Sequence, residues 1–237
     1  MLTLIYAYYD NPDMLKLHID TWRAYPDKIK KRMNIILVDD CSPRSPAIHF
    51  LPLLVGLGIP TRIYRVLEDI PWNLDGARNL GMKETETEWN LITDMDRLLP
   101  VDAAAAALEM TKERGKVYRP DQVWAGENRS LGRPHPNSFI IHRSDYWQVG
   151  GYDEDFQGSY GTDGNFRKNL RAVAVEVYTT MPYLLCCEDL VKDSITQTLP
   201  RKVKGVYCVT IPRLKAKLQS PPYVAVNPIR FRWERQL

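Results

Sequence analysis

Apolar residues along this chain fall into short solid runs separated by helical stripes, a pattern that predicts strands alternating with helices. Residues 2–7 read as a first strand. Asn11-Pro12-Asp13 is a helix start: Asn caps free amides, Pro suits the first helical position, and Asp favours the positive end of the helix dipole. Met14, Leu17, His18, Thr21, Trp22 and Tyr25 follow at helical spacing, which makes His18 a buried structural histidine. Residues 34–40 are apolar almost throughout and end in acids, as expected of a parallel strand buried on both faces. Residues 61–67 and 89–93 are the third and fourth strands, with a helix over 76–85 between them. The alanine block from Ala103 to Ala107 predicts a helix over 100–114 that stops at Gly115.

The second half is more mixed. A strand is expected over 137–143, a short helix from Ser144 to the Gly150-Gly151 pair, a helix opening at Thr162-Asp163 and a strand over 174–180. Beyond Pro200, Pro212, Pro221, Pro222 and Pro228 break any long element. Strands joined by helices imply right-handed crossovers and a largely parallel sheet, whose ligands bind beyond the carboxyl ends of the strands. Asp39-Asp40 and Asp94-Met95-Asp96 both fall at such ends, so one shared site is expected.

Asp94 and Asp96 close the apolar run Asn90-Leu91-Ile92-Thr93. Alternate residues of an extended strand point the same way, so the two carboxylates can converge. Like charges that close raise one pKa unless a cation intervenes, and a hard divalent ion carrying a diphosphate is the usual resolution. The competing explanation is an Asp-rich loop that caps the next helix.

At 237 residues and 44% hydrophobic content the chain suits one large domain, or one domain with an elaborated tail. No window approaches the ~20 apolar residues that span a bilayer, and the amino-terminal residues do not read as a secretory signal. Cys41, Cys186, Cys187 and Cys208 match no zinc or disulfide spacing, which leads us to expect a reducing, cytoplasmic setting. The net charge of +3 is unevenly spread: residues 200–237 hold nine Lys or Arg and one acid, Glu234. Such a tail either attracts an anionic partner or simply balances the acidic body.

Taken in order, five segments resemble the family-2-like glycosyltransferases of the GT-A fold. They are Tyr6-Ala7-Tyr8-Tyr9-Asp10-Asn11-Pro12, Leu37-Val38-Asp39-Asp40-Cys41-Ser42, Asp75-Gly76-Ala77-Arg78-Asn79-Leu80-Gly81, Asp94-Met95-Asp96, and Gly150-Gly151-Tyr152-Asp153-Glu154-Asp155-Phe156 with Gly161-Thr162-Asp163. The last two look most like the galactosyltransferase-type branch. The resemblance covers roughly residues 1–180 and implies an α/β GT-A domain over 1–199, a Rossmann-like, mostly parallel sheet flanked by helices. Residues 200–237 then form a basic C-terminal extension.

By that resemblance the chain transfers a sugar, with inversion, from a nucleotide sugar that is UDP-linked. Tyr6, Ala7 and Tyr8 would hold base and ribose, and Asp40 would accept hydrogen bonds from uracil. Arg78 would lie near the base or diphosphate, where a fixed guanidinium suits an anion, and Asp75 joins the donor-binding residues. Asp96 would bind manganese or magnesium directly, while Asp94 would contact ribose, sugar or metal-bound water. Asp163 would be the general base, although an Asp opening a helix is equally at home as its cap. The chain departs from the family in carrying Tyr160-Gly161-Thr162-Asp163 where Trp-Gly and Glu-Asp are frequent. It has no histidine after His142, which leaves His135 and His142 as the remaining histidine contacts for a metal.

Trp72, Tyr160, Arg230, Arg232 and Trp233 are the candidates for acceptor binding. The loop with Gly158, Tyr160 and Gly161 has the make-up of a lid. The tail interleaves cations with aromatics, a mix that suits a nucleic-acid backbone or an anionic membrane surface. Hydroxymethylated DNA, a glycan and a lipid-linked acceptor are all compatible with it. Two rivals remain: a nucleotidyltransferase, disfavoured because residues 1–20 contain no glycine for a phosphate loop, and a non-catalytic module that grips sugar or nucleic acid.

Overall fold

The computed structural model describes residues 1–125, 131–187, 207–226 and 229–237. Its strands are β1 (Leu2–Tyr8), β2 (Met33–Asp39), β3 (Thr61–Val66), β4 (Trp89–Thr93), β5 (Arg97–Leu98), β6 (Lys116–Trp124), β7 (Leu131–Gly132), β8 (Phe139–His142), β9 (Val175–Cys186) and β10 (Trp233–Arg235). The α-helices are α1 (Pro12–Arg23), α2 (Asp27–Lys30), α3 (Leu51–Val55), α4 (Leu74–Glu84), α5 (Val101–Glu109), α6 (Arg143–Gln148), α7 (Asp163–Leu170) and α8 (Pro212–Gln219).

All the strands join one sheet in the order β10-β3-β2-β1-β4-β8-β6-β9-β5, with β7 on β6. From β3 to β4 every pairing is parallel, which is why β1 and β2 are buried on both faces and read as solid apolar runs. Beyond β4 the sheet is mixed: β8 is antiparallel to β4 and β6, while β6 and β9 run parallel. One face packs on α1 and α5, with Leu4, Tyr6, Trp22, Leu99 and Ala104 in its core. The other packs on α4, α6 and α7, with Ile5, Ala77, Leu80, Tyr146 and Phe166.

The predicted start of α1 is present, with Asn11 Oδ1 accepting from Met14 N at 3.3 Å. α4 lies close enough on β1 that a Cβ at Gly81 would sit 2.4 Å from Ile5 Cγ2, so this position tolerates only hydrogen. Helix α5 is shorter than expected and ends at Glu109. Lys112 Nζ caps it by donating to the carbonyls of Ala107 and Met110, satisfying oxygens that a longer helix would have used. Gly115 N then bonds Asp145 Oδ2, drawing the chain toward α6.

Of the basic tail, α8 and β10 are ordered elements packed on the body, and β10 pairs antiparallel with β3. Arg201, Lys202, Lys204, Pro228 and the expected boundary at 199–200 lie outside the described residues. No disulfide joins the four cysteines. Among the described residues no helix is long and apolar enough to cross a membrane.

Candidate active site

The carboxyl ends of β1, β2 and β4 meet the amino end of α4, and side chains there are linked in sequence. Asp39 and Asp40 have separate tasks. Asp39 accepts from the amides of Ser42 (2.7 Å) and Ala47 (2.8 Å) and from Arg65 (3.1 Å), which fixes the loop after β2. Asp40 accepts from Asn73 Nδ2 at 2.9 Å, and Gln157 Nε2 in turn holds Asn73 Oδ1 at 2.6 Å. Gly76 makes room for this chain of contacts: a Cβ there would meet Asn73 Oδ1 at 2.3 Å and Phe231 at 2.6 Å. Tyr6 contributes backbone to this edge while its ring is core; Tyr8 donates its hydroxyl to Ser45 O at 2.6 Å.

Arg78 is the hub. It is fully buried, ion-pairs with Asp94, lies 3.8 Å from Asp75, and sits over the Tyr152 ring at 5.0 Å. Burial disfavours its charge, but Tyr152, Asp94, Asp75 and Asp163 outweigh that and raise its pKa. Burial pushes Asp75 up to about 7, with Arg78 opposing and Asp163 and Asp153 adding to the rise. For Asp94 burial is overcome by Arg78, His135 and Arg97, and its pKa falls below the usual carboxylate value. His135 Nδ1 lies 3.5 Å from Asp94 Oδ2, and burial lowers its pKa below the usual histidine value although that carboxylate works the other way.

Asp163 is the first residue of α7, and the cap position belongs to Thr162, which makes no side-chain capping bond. Its capping role is therefore not the one the sequence alone allows. The carboxylate is half-buried and, among the described residues, accepts no hydrogen bond or ion pair. Its charge is felt by Asp75, Arg78, His135 and Tyr160, so it belongs electrostatically to the same set.

The Asp94-Met95-Asp96 turn is pinned at each carbonyl. Arg97 N donates to Asp94 O at 3.1 Å, His18 Nε2 to Met95 O at 2.7 Å, and Cys187 N to Asp96 O at 2.9 Å. Buried Arg97 also pairs with Asp96 Oδ2 at 2.8 Å and donates Nε to Gln122 Oε1 at 3.0 Å. Asn79, next to Arg78, ties α4 to the glycine-rich segment. Its Oδ1 accepts from Tyr146 OH and Tyr152 N, and its Nδ2 donates to Tyr152 O and Glu154 Oε1.

Three of these partners escaped sequence reasoning: Arg97, the clamp from His18 to Met95, and Tyr152 beneath Arg78. Only the helical phase of His18 hinted at any of them. Of the two candidate histidines, His135 lies beside Asp94, whereas His142 caps α6 through Ser144 N (3.2 Å) and packs on Trp89.

The acceptor candidates divide. Trp72 (φ 52°) and Tyr160 meet edge to face at 5.0 Å, and Tyr207, not singled out from the sequence, joins Tyr160 at 5.4 Å. Arg230 instead pairs with Asp155, Arg232 with Glu68 at 3.1 Å, and Trp233 packs on Tyr64 and Lys83. Among the described residues none of these last three bonds to Arg78, Asp94 or Asp163.

No group of three His, Cys, Asp or Glu side chains converges as a metal site among the described residues. Magnesium-type ions nevertheless bind through one or two carboxylates when substrate phosphates complete the shell. In this structure the Asp94 and Asp96 carboxylates are each paired with a buried arginine, Arg78 and Arg97 respectively.

No protein-family model matches the sequence, and no curated relative does. Solved structures do. S. aureus TarS (residues 1–349, with UDP) superposes at a TM-score of 0.60 over 78% of this chain with 15% identity. The mannosyltransferase PcManGT from Pyrobaculum calidifontis, with GDP-Man and Mn2+, gives 0.63 over 90% with 14% identity. GalNAc-T7 with UDP, GalNAc and Mn2+ gives 0.58 over 78% with 14% identity.

The chain has the GT-A fold.

It spans 59%, 64% and 43% of those three chains respectively. Within the GT-A fold, the Arg78–Asp94 cluster occupies the strand ends where the fold places ligands.

Proposed function

We propose that this chain is a glycosyltransferase that moves a sugar from a UDP-linked donor to an acceptor hydroxyl with inversion. The observation that carries this reading is Asp163: a half-buried carboxylate without a partner among the described residues, in the electrostatic reach of Arg78, Asp75 and His135. Asp163 takes the proton of the acceptor hydroxyl, whose oxygen attacks the anomeric carbon. The bond from that carbon to the nucleoside diphosphate breaks on the opposite face. A base within reach of the proton it removes contributes roughly 10²–10⁴-fold to such steps.

Asp40, fixed through Asn73, accepts from the base, and the backbone at Tyr6, Ala7 and Tyr8 seats base and ribose. Arg78 holds Asp94 in place and supplies permanent positive charge beside the donor phosphates. Manganese or magnesium would be held by Asp94 and Asp96, and when bound it stabilises the negative charge on the departing diphosphate. Trp72 and Tyr160 offer aromatic faces to the acceptor. A DNA acceptor draws little support from the described part of the tail, because Lys217, Arg230 and Arg232 direct their charge at Asp153, Asp155 and Glu68.

A thermal-shift panel of UDP- and GDP-sugars, with and without manganese, tests the donor, since a bound ligand stabilises by mass action. A UDP-sugar should give the largest shift and should be hydrolysed slowly without acceptor. Absence of any nucleotide-sugar shift would end the proposal; binding without turnover toward water or any acceptor would favour a non-catalytic module.

A further inference from the structure

The backbone of His135 joins the donor cluster to a second cavity. Arg119 Nη2 donates to His135 O at 2.6 Å, while the His135 ring faces Asp94. Arg119 also lines a cavity of about 600 Å³ together with Asp121, Arg133, Arg167 and Tyr178.

The walls carry an excess of positive charge. Glu176 is the carboxylate that orders them: it accepts from Arg119 at 2.9 Å, Arg167 at 3.0 Å and Arg171 at 2.8 Å. Burial works against its charge, but Arg167, Arg171 and Arg119 drive its pKa down to about 2. One carboxylate cannot neutralise three guanidinium groups. Arg119 shows the imbalance, since burial and then neighbouring Arg167 lower its pKa to about 10. Its Nε is buried and has no hydrogen-bond partner among the described residues.

Arg133 is exposed and makes no hydrogen bond or ion pair among the described residues, so its planar donor fork is available. The opposing charge on the wall is Asp121, whose pKa burial raises. Guanidinium groups match carboxylate and phosphate oxygens two at a time, which a neutral hydroxyl cannot exploit.

We propose that this cavity is an acceptor subsite for an oxyanion, a phosphate ester or a carboxylate, carried by the molecule that receives the sugar. The inference rests on the transfer reading of the neighbouring site. Arg133 and Arg167 grasp the anion, and Glu176, which also accepts from the Tyr178 hydroxyl at 3.4 Å, keeps Arg119 and Arg167 oriented before it arrives.

The test titrates inorganic phosphate, and separately acetate, into the full chain at constant ionic strength, read by thermal shift and calorimetry. Wild type, Arg133→Ala and Arg133→Lys are compared, with UDP and manganese absent or saturating. Saturable phosphate binding that weakens about tenfold in Arg133→Ala, recovers partly in Arg133→Lys and persists with UDP bound is the expected result. Saturable acetate binding with the same dependence on Arg133 assigns a carboxylate instead and also upholds the site. No saturable binding, or equal binding by Arg133→Ala, overturns it. Displacement of phosphate by UDP overturns it too, because the cavity would then belong to the donor diphosphate. If UDP-sugars bind and neither phosphate nor acetate does, the subsite fails while the transfer reading stands. Phosphate binding without any nucleotide-sugar binding removes the acceptor role.

Discussion

His18 on α1 donates its Nε2 hydrogen to the carbonyl oxygen of Met95 at 2.7 Å, so a helix across the sheet holds the peptide between Asp94 and Asp96. The ring is wedged between Tyr6 (4.5 Å) and Trp22 (5.1 Å), and burial lowers its pKa to about 4. In the unfolded chain an ordinary histidine binds a proton near 6.5. The unfolded state therefore takes up more protons between pH 6.5 and 4, and stability present above that window is lost as pH falls through it. His18→Gln should flatten this part of the Tm-versus-pH curve. A variant that leaves the Met95 carbonyl unpaired, His18→Phe, should cost about 1–3 kcal/mol and weaken manganese-dependent UDP binding. Unchanged binding in a folded His18→Phe protein would show that the clamp does not position the turn.

Asp75 gives the opposite pH signature. Its folded pKa of about 7 lies above the unfolded carboxylate value, so the folded state holds the extra proton and stability declines as pH rises from about 4 to 7. Asp75→Asn should be no more stable than wild type near pH 4 and should gain over it up to pH 7, then run parallel. Denaturant melts at pH 4, 5.5, 7 and 8 measure this; a constant offset at every pH would refute it.

For Asp163, replacement by Asn keeps size and hydrogen-bonding capacity but removes the carboxylate proposed as the base. Turnover should fall by roughly 10²–10⁴-fold, while UDP-sugar affinity and helix content stay close to wild type because Thr162, not Asp163, holds the cap position of α7. A comparable loss of donor affinity would instead mark Asp163 as a binding group.

Gly81→Ala should destabilise by about 1–3 kcal/mol, the range for overpacking a tight contact. The new methyl would fall 2.4 Å from Ile5 Cγ2. Combining it with Ile5→Ala should recover part of the loss in urea melts. Equal losses, simply additive, would place the strain elsewhere.

The parallel half of the sheet was legible because its strands are apolar on both faces and its helices carry ordinary start signals, as at Asn11 and Pro12. Strand β6 was not: its run holds Arg119, Pro120 and Asp121, and the pairing with β9 shifts register between Pro120 and Asp121. There Arg119 is buried on Glu176 and over the Phe139 ring at 4.4 Å, so charge pairing does what hydrophobic periodicity does elsewhere. The candidate site shows the same division. Asp40, Arg78, Asp94 and Asp163 stand in local motifs, but His18 is 77 positions from Met95 and Arg119 is 57 from Glu176. Only the fold could pair them. Strand β10 was hidden for another reason, being three residues long behind Pro221, Pro222 and Pro228.

That short strand has its own effect. By lying against β3, with Leu67 N donating to Arg232 O at 2.8 Å and Gln236 N to Ile63 O at 2.8 Å, it covers amides that would otherwise recruit a strand from another molecule. Its own outer margin is only three residues wide and carries exposed Glu234 and Arg235, a poor template for stacking. Detaching residues 233–237 would therefore be felt first as self-association in concentrated solution.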